Sequence, residues 1–325
     1  MVTIHRDALT ELCHDALLRV GVDSRDAHVL AEATVEAELV GNRAVGVGHL
    51  FDYLDGYQHG RIETVSRPVV RRAAPAVIDV DAAQGLGQTA FVEASEQLHD
   101  ATREAGIAAL WIKNSFTCGE LGYYARRLAQ QGFLALAMAN SPALMSLGGA
   151  PHPILGTNPL AYGIPRPGQL PIVIDQASSA TAFVNIRRAA ETGEPIPAGW
   201  ALGPDGEQTQ DAALAVQGTL LPFGSHRGGN IALLGEILAT LSGAAFSLDA
   251  APFDHGDTSP GIGVFLLSID PALFPGSVER LSRQFESLRH DHQVRLPAVE
   301  LTSLPDSVEI TADLLEQLRT AVAAQ

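Results

Sequence analysis

Cysteine is scarce: Cys13 and Cys118 are the only two in 325 residues. Two thiols cannot build a disulfide framework, and a cytoplasmic setting would keep both reduced. Long apolar runs are missing too. No stretch reaches about 18 apolar residues, so no transmembrane helix is expected. The opening MVTIHRDALTELCHDALL is amphipathic and lacks the apolar core and small-residue cleavage site of a signal peptide. Basic charge is in deficit. Lys and Arg number 21 against 37 Asp and Glu, a net charge of −16, which disfavours nucleic acid and anionic membranes as partners. No early G-x-G-x-x-G opens a βαβ unit, so an ordinary dinucleotide-binding domain is not indicated. Repeats and low-complexity segments are absent, and no metal is expected.

What remains is an enzyme-sized globular chain, 46% hydrophobic, with enough length for one large core or two smaller ones. Helical spacing of Leu9, Leu12, Ala16 and Val20 predicts a helix over 6–20, ended by Gly21. Asp23 and Ser24 offer an N-cap for a second helix that Gly41 stops. Strands are expected at 71–80, 107–112, 133–139, 160–164, 171–174 and 264–269, where β-formers cluster between turn residues. Helices are expected over 88–105, 121–131, 181–190, 231–241, 278–289 and 311–324. In 231–241, Leu233, Leu234, Ile237 and Leu241 read as the core side.

The stretch 148–179, GGAPHPILGTNPLAYGIPRPGQLPIVIDQASS, organises the rest. Gly156-Thr157-Asn158-Pro159 is a turn in which Gly gives backbone freedom and Pro fixes φ. The second apolar run ends at Asp175, followed by Ser178 and Ser179. A strand ending in a carboxylate and two hydroxyls can face a polar ligand, or it can simply lead into a helix cap. Further on, Ser225-His226-Arg227-Gly228-Gly229 places a Gly-flanked cation before a helix, an arrangement suited to a phosphate or to plain solvent exposure.

These segments resemble the malate/L-lactate dehydrogenase family that does not use the Rossmann fold. The likeness is carried by Gly148-Gly149, Leu155 to Pro159, Pro165 and Pro171 to Ser179, and extends over about residues 7–297. It implies a mixed, non-Rossmann α/β fold: a large, mostly antiparallel sheet with flanking helices, plus a helical subdomain from both termini. It implies a division into a helical, substrate-side part (1–70 and 276–325) and a cofactor-binding part (71–275). NADPH or NADH would be held by Thr157, Asn158, Asp175, Ser178, Ser179, His226, Arg227 and Gly228. A small-molecule substrate and a homodimer are implied as well.

The family's reacting residues are altered. Where members carry G-x-D-S-H-G-x-x-R-x-x-x-Y, this chain keeps Gly41, Gly46 and Tyr53. Val45 stands at the position of the proton-donating His and His49 at that of the carboxylate-binding Arg. Where members carry N-S-x-H-x-G-x-x-G-Y-Y, the His is Thr117. Valine cannot donate a proton, and threonine cannot carry positive charge. The expected catalytic set is therefore His49, Tyr53 and Thr117, with His49 as the acid because imidazole titrates near neutral pH. The loss of three cationic or protonatable groups suggests a substrate with less need for a cationic grip on a carboxylate. Hydride transfer to a C=N bond, as in a cyclic imine, or to a C=O bond is the leading expectation. A non-redox lyase or isomerase, or a silent binding protein on the same fold, is the alternative. Cys118 has no evident base partner and reads as a small packed residue.

Overall fold

The computed structural model describes residues 1–296 and 303–323. Strand β1 (Val2–His5) is followed by helices α1 (Arg6–Arg19), α2 (Ser24–Leu39) and α3 (Val47–Gln58). The hairpin β2 (Val69–Ala74) and β3 (Val77–Asp81) leads to α4 (Gly87–Ala105), β4 (Ile107–Ser115), α5 (Leu121–Gln130) and β5 (Leu134–Ala139). Next come β6 (Leu160–Ile164), β7 (Ile172–Gln176), α6 (Phe183–Thr192), β8 (Ala201–Leu202), β9 (Gln208–Thr209), α7 (Ala212–Val216) and β10 (Thr219–Leu220). The chain closes with α8 (His226–Thr240), β11 (Ile262–Ile269), α9 (Ser277–His290), β12 (Ser307–Ile310) and α10 (Ala312–Ala323).

Seven strands make the main sheet, in the order β2-β3-β4-β11-β5-β6-β7. Every neighbouring pair is antiparallel except β3 and β4. The expected large, mostly antiparallel sheet of a mixed α/β protein is present. One of its faces is closed by α4 and α5, whose Phe91, Ala94, Leu98, Tyr124 and Leu128 pack on Ile78, Leu110, Ile112 and Leu266. A second core joins α1, α2, α3 and α10 through Leu9, Leu17, Leu30, Leu50 and Leu318, and reaches the sheet through Leu86 and Phe116. Strands β1 and β12 pair antiparallel, Val2 opposite Ile310, so the two ends of the chain build this helical part together. A third cluster, around Met145, Leu155, Ile186, Ile196 and Leu220, adjoins the small β10-β8-β9 sheet.

Two expectations are corrected. The segment 71–80 is a hairpin rather than one strand: β2 and β3 are separated by Pro75 and Ala76, because proline cannot donate to a ladder. The orientation of α8 is the reverse of that expected. Leu233, Leu234, Ile237 and Leu241 are 40%, 50%, 53% and 67% exposed, whereas Ala232, Gly235, Glu236 and Ala239 are buried. The helix lies so close to the sheet that only small residues fit between: a Cβ at Gly263 of β11 would collide with the carbonyl of Ala239. Size, rather than hydrophobicity, chose its inner face. The far end of the family likeness, at 297, and the end of the last expected helix, at 324, lie outside the described residues.

Gly163 of β6 is in the same situation against α5, where a Cβ would overlap the carbonyl oxygen of Ala125 and approach its carbonyl carbon to 2.9 Å. Gly163→Ala must push α5 off the sheet. It is expected to cost about 1–3 kcal/mol, read as a lower denaturant midpoint with an unchanged slope. An unaltered midpoint would contradict the close approach.

Candidate functional site

The first cluster forms where α3 meets the end of β4. The Glu38 carboxylate accepts from the Val47 N–H (3.0 Å), which fixes the start of α3. His49 and Tyr53, four residues apart, then share one face of that helix. Nδ1 of His49 lies 2.6 Å from Oδ2 of Asp52. The imidazole, 12% exposed, stands edge-on to the Tyr53 ring at 5.0 Å and to Phe253 at 6.1 Å. The buried Tyr53 hydroxyl accepts from Thr117 Oγ1 (2.8 Å) and from Gln88 Nε2 (3.1 Å). Desolvation pushes the phenol's pKa up, so Tyr53 stays neutral. His49, Tyr53 and Thr117 are thus brought together, with Gln88 and Asp52 added to them. Gly119, at φ 61°, lets the chain pass against the Gln88 amide and the Tyr53 hydroxyl.

The second cluster lies at the N-terminus of α5. Glu120 occupies the N-cap position but makes no capping bond. Asp175, at the end of β7, supplies the acceptor instead: its carboxylate takes the Gly122 N–H at 2.8 Å and the Asn42 amide at 3.4 Å. Oε1 of Glu120 turns to the buried Arg126 (2.6 Å), whose other guanidinium nitrogen lies 3.2 Å from Glu36. Oε2 of Glu120 is buried with no hydrogen-bond partner. Burial pushes the Glu120 carboxyl up to about 7; Arg126 pulls it down, and Asp175 and Glu36 push it up. Burial likewise raises Asp175, against the Gly122 N–H and Arg126. Asn42, Glu120, Arg126, Val173, Asp175 and Gln176 line a cleft of about 580 Å³. Glu120 also lines a narrow crevice with Val45, Tyr53, Gln88 and Gly119 that has no room for a water molecule.

The third cluster gathers most of the expected cofactor residues. The Ser178 N–H donates to Thr157 O, and its hydroxyl to Asn158 O, both at 2.8 Å. The Ser179 hydroxyl donates to Thr181 O at 2.7 Å. Asn158 is fully buried; its amide donates to Ala232 O and to Glu236 of α8, and its oxygen accepts from the Ser141 N–H. The start of α8 presses on the same loop, since a Cβ on Gly228 would lie 2.5 Å from Phe223 O and 2.8 Å from Ser178 O. The side chains of Asn158, Ser178 and Ser179 are therefore engaged within the protein, and they hold the cradle's shape. Asp175 is engaged at α5. His226 and Arg227 are exposed at the N-terminus of α8. Among the described residues Arg227 makes no ion pair or side-chain hydrogen bond, and Ser225 at the N-cap makes no side-chain capping bond. The N–H groups of Arg227, Gly228 and Gly229 are taken by Gly224 O, Phe223 O and Ser225 O, so what this helix start offers an anion is the exposed guanidinium of Arg227.

Sequence reasoning missed Glu120, Gln88, Asp52 and Asn42. An acidic residue just before a helix is ordinary on electrostatic grounds, so Glu120 carried no signal. Gln88 opens the expected helix over 88–105, and nothing local points to Tyr53 as its partner. The Cys118 thiol is pushed up to about 12, first by burial and then by Asp175, which keeps it an unreactive neutral group.

The sequence profile of the malate/L-lactate dehydrogenase family matches residues 4–300. The chain belongs to that family. It is 35% identical over 311 residues to the (2R)-3-sulfolactate dehydrogenase (NADP(+)) of Chromohalobacter salexigens, covering 94% of this chain and 93% of that one. It is 33% identical over 330 residues to the Δ1-pyrroline-2-carboxylate reductase of Pseudomonas fluorescens, covering 98% of each. The crystal structure of the Δ1-piperideine-2-carboxylate reductase of Pseudomonas syringae pv. tomato superposes with a TM-score of 0.91 at 32% identity, covering 99% of this chain and all of that one. The expected non-Rossmann fold and the assignment as a nicotinamide-dependent oxidoreductase acting on a small molecule stand with these likenesses. Among the described residues no helix is long and apolar enough to cross a membrane.

The raised Glu120 carboxyl has a thermodynamic signature. Its folded pKa lies above the unfolded one, so the folded state keeps a proton that the unfolded chain gives up between about pH 4.5 and 7. The stability linked to that proton is full below the lower value and is lost as pH rises through about 7. Between pH 5 and 8 the wild type should therefore lose about 2–3 kcal/mol relative to Glu120→Gln, measured by denaturant unfolding of both proteins at each pH. Parallel stability curves would show that the carboxyl is ionised throughout.

Proposed function

We propose that the protein reduces a C=N bond of a small cyclic imine with NADPH or NADH. The observation that carries this is the His49–Asp52 pair, set edge-on to Tyr53 and joined through Tyr53 to Thr117. The similarity to pyrroline- and piperideine-carboxylate reductases supports the same reading. Arg227 and the start of α8 hold a nucleotide phosphate, with His226 beside it. Thr157, Asn158, Asp175, Ser178, Ser179 and Gly228 shape the cradle. The bound nicotinamide supplies the hydride.

The remaining work falls to this chain's own residues. Asp52 accepts from His49 and orients the imidazole, so that the other ring nitrogen can give a proton to the substrate nitrogen. Val45 cannot take that part, and His49 is the protonatable group nearest to it on α3. Tyr53, whose oxygen accepts from Thr117 and Gln88, keeps its own O–H to position the substrate, and Thr117 acts by fixing that hydroxyl. In the imine reductase reading, NADPH raises the melting temperature, and Arg227→Ala weakens its binding about tenfold. His49→Ala leaves nucleotide affinity unchanged and lowers turnover of 1-pyrroline about 100-fold. Absence of any shift with either nucleotide would favour a non-redox protein on this fold. Full turnover in His49→Ala would remove the proposed acid.

The outward face of α8 supports a homodimer. Leu233, Leu234, Ile237 and Leu241 are continued by Phe246 and Leu248, 55% and 64% exposed, into one apolar surface that a second copy of the chain covers. Ile237→Glu should then convert a dimer into monomers by light scattering; a monomeric wild type would contradict this. Both cysteines are free, which supports a reducing, cytoplasmic setting.

A further inference from the structure

The cleft beside Asp175 carries more acid than its fixed cation balances. Three carboxylates, on Glu36, Glu120 and Asp175, surround the single guanidinium of Arg126. Arg127 serves Glu36 from the other side at 3.2 Å, so Glu36 is satisfied. Glu120 and Asp175 share what remains of Arg126. Asp175 reaches no cation directly; its contacts are the Gly122 N–H and the Asn42 amide. The Glu120 side chain is 3% exposed, and its Oε2 has no partner at all. A buried carboxylate oxygen without a donor is a costly arrangement for a fold to keep unless something else meets it.

Position adds to the argument. Glu120 is the one residue common to the 580 Å³ cleft, which Asp175 lines, and to the crevice lined by Val45 and Tyr53. It therefore borders both the cleft beside Asp175 and the crevice beside Tyr53 of the expected catalytic cluster. Among the described residues around it, His49 is held by Asp52, Thr117 and Val45 are neutral, and Arg126 is ion-paired with two carboxylates. A substrate carboxylate placed here would meet Glu120 and Asp175 with no unengaged guanidinium to receive it.

We propose that this pocket selects a substrate that is cationic and lacks a carboxylate beside its C=N bond: a protonated cyclic imine, with Glu120 as counter-ion to its N–H. This rests on the reductase reading above and names its substrate class. The N–H of the iminium donates to Oε2 of Glu120, which supplies the missing partner. On reduction a hydride adds to the iminium carbon, the C=N π pair moves onto nitrogen, and the positive charge disappears as the nicotinamide becomes oxidised. The N–H of that iminium carries the proton His49 gives to the imine nitrogen, so no other proton is needed during hydride transfer and the product leaves as a neutral amine. The raised Glu120 carboxyl fits the same picture, because the empty pocket keeps a proton that a cationic ligand would displace.

The test uses saturated amines as unreactive cationic look-alikes of the iminium. Protein saturated with NADPH is titrated calorimetrically with piperidine and with pipecolate at pH 8. Piperidinium is expected to bind at least tenfold more tightly than pipecolate. Glu120→Gln should lose at least tenfold in piperidinium affinity while its NADPH affinity stays at the wild-type value. Equal or tighter binding of pipecolate, or no binding of either amine to a protein that binds NADPH, overturns the proposal and leaves the reductase reading standing. Unchanged piperidinium affinity in a Glu120→Gln protein that still binds NADPH also overturns it. Failure of the wild type to bind either NADPH or NADH would instead sink the reductase reading, and this one with it. The comparison of the two amines on wild-type protein needs no variant to fold.

Discussion

The structure depends on the buried guanidinium of Arg126, held between Glu36 of α2 and Glu120 at the start of α5. It links the helical part to the helix that closes the sheet, across a boundary where little water reaches. A charge in such a place persists only with partners on both sides, because removing one leaves the rest unpaired at a cost of about 3–5 kcal/mol. Turning Glu120 toward Arg126 has a local consequence. The N-terminus of α5 loses its natural cap, and the Asp175 carboxylate from β7 takes over that role. One ion pair thus fixes the end of the edge strand, the opening of the cleft and the position of the unpartnered Glu120 oxygen.

The frame of the family is retained while its reacting groups differ, and the geometry shows how the two coexist. The cradle around Ser178 and Asn158 is built from backbone contacts and buried hydrogen bonds to Glu236 and Ala232 of α8. None of these passes through Val45, His49 or Thr117. His49, Tyr53 and Thr117 are assembled separately, on α3 and the loop after β4. One helical turn beyond Val45, His49 is paired with Asp52.

Much of the fold was legible in the sequence, because the signals were local. Strands at 107–112, 160–164 and 264–269 stand out as short β-forming runs between turns, and they appear as β4, β6 and β11 with ends moved by a few residues at most. Helix α2 begins where Asp23 offers its carboxylate, at the Arg25 N–H. The inner face of α8 was not legible, since a helix pressed tightly on a sheet presents its smallest residues, and hydropathy alone points the other way. The pairing of β1 with β12 joins residues about 300 apart, and no periodicity reports that. The site divided similarly. His49, Tyr53 and Thr117 could be named from the motif and are found together. Glu120, Gln88 and Asp52 matter through contacts across the fold, and a single sequence does not display them.

The account's central claim is that hydride transfer persists on a scaffold whose original proton donor is gone. Its most direct measurement follows the hydrogen itself, using NADPH deuterated stereospecifically at C4 with 1-pyrroline and mass analysis of the amine. The account predicts one deuterium at the former imine carbon from one of the two C4 epimers and none from the other. Nucleotide binding without deuterium in the amine from either epimer would contradict it.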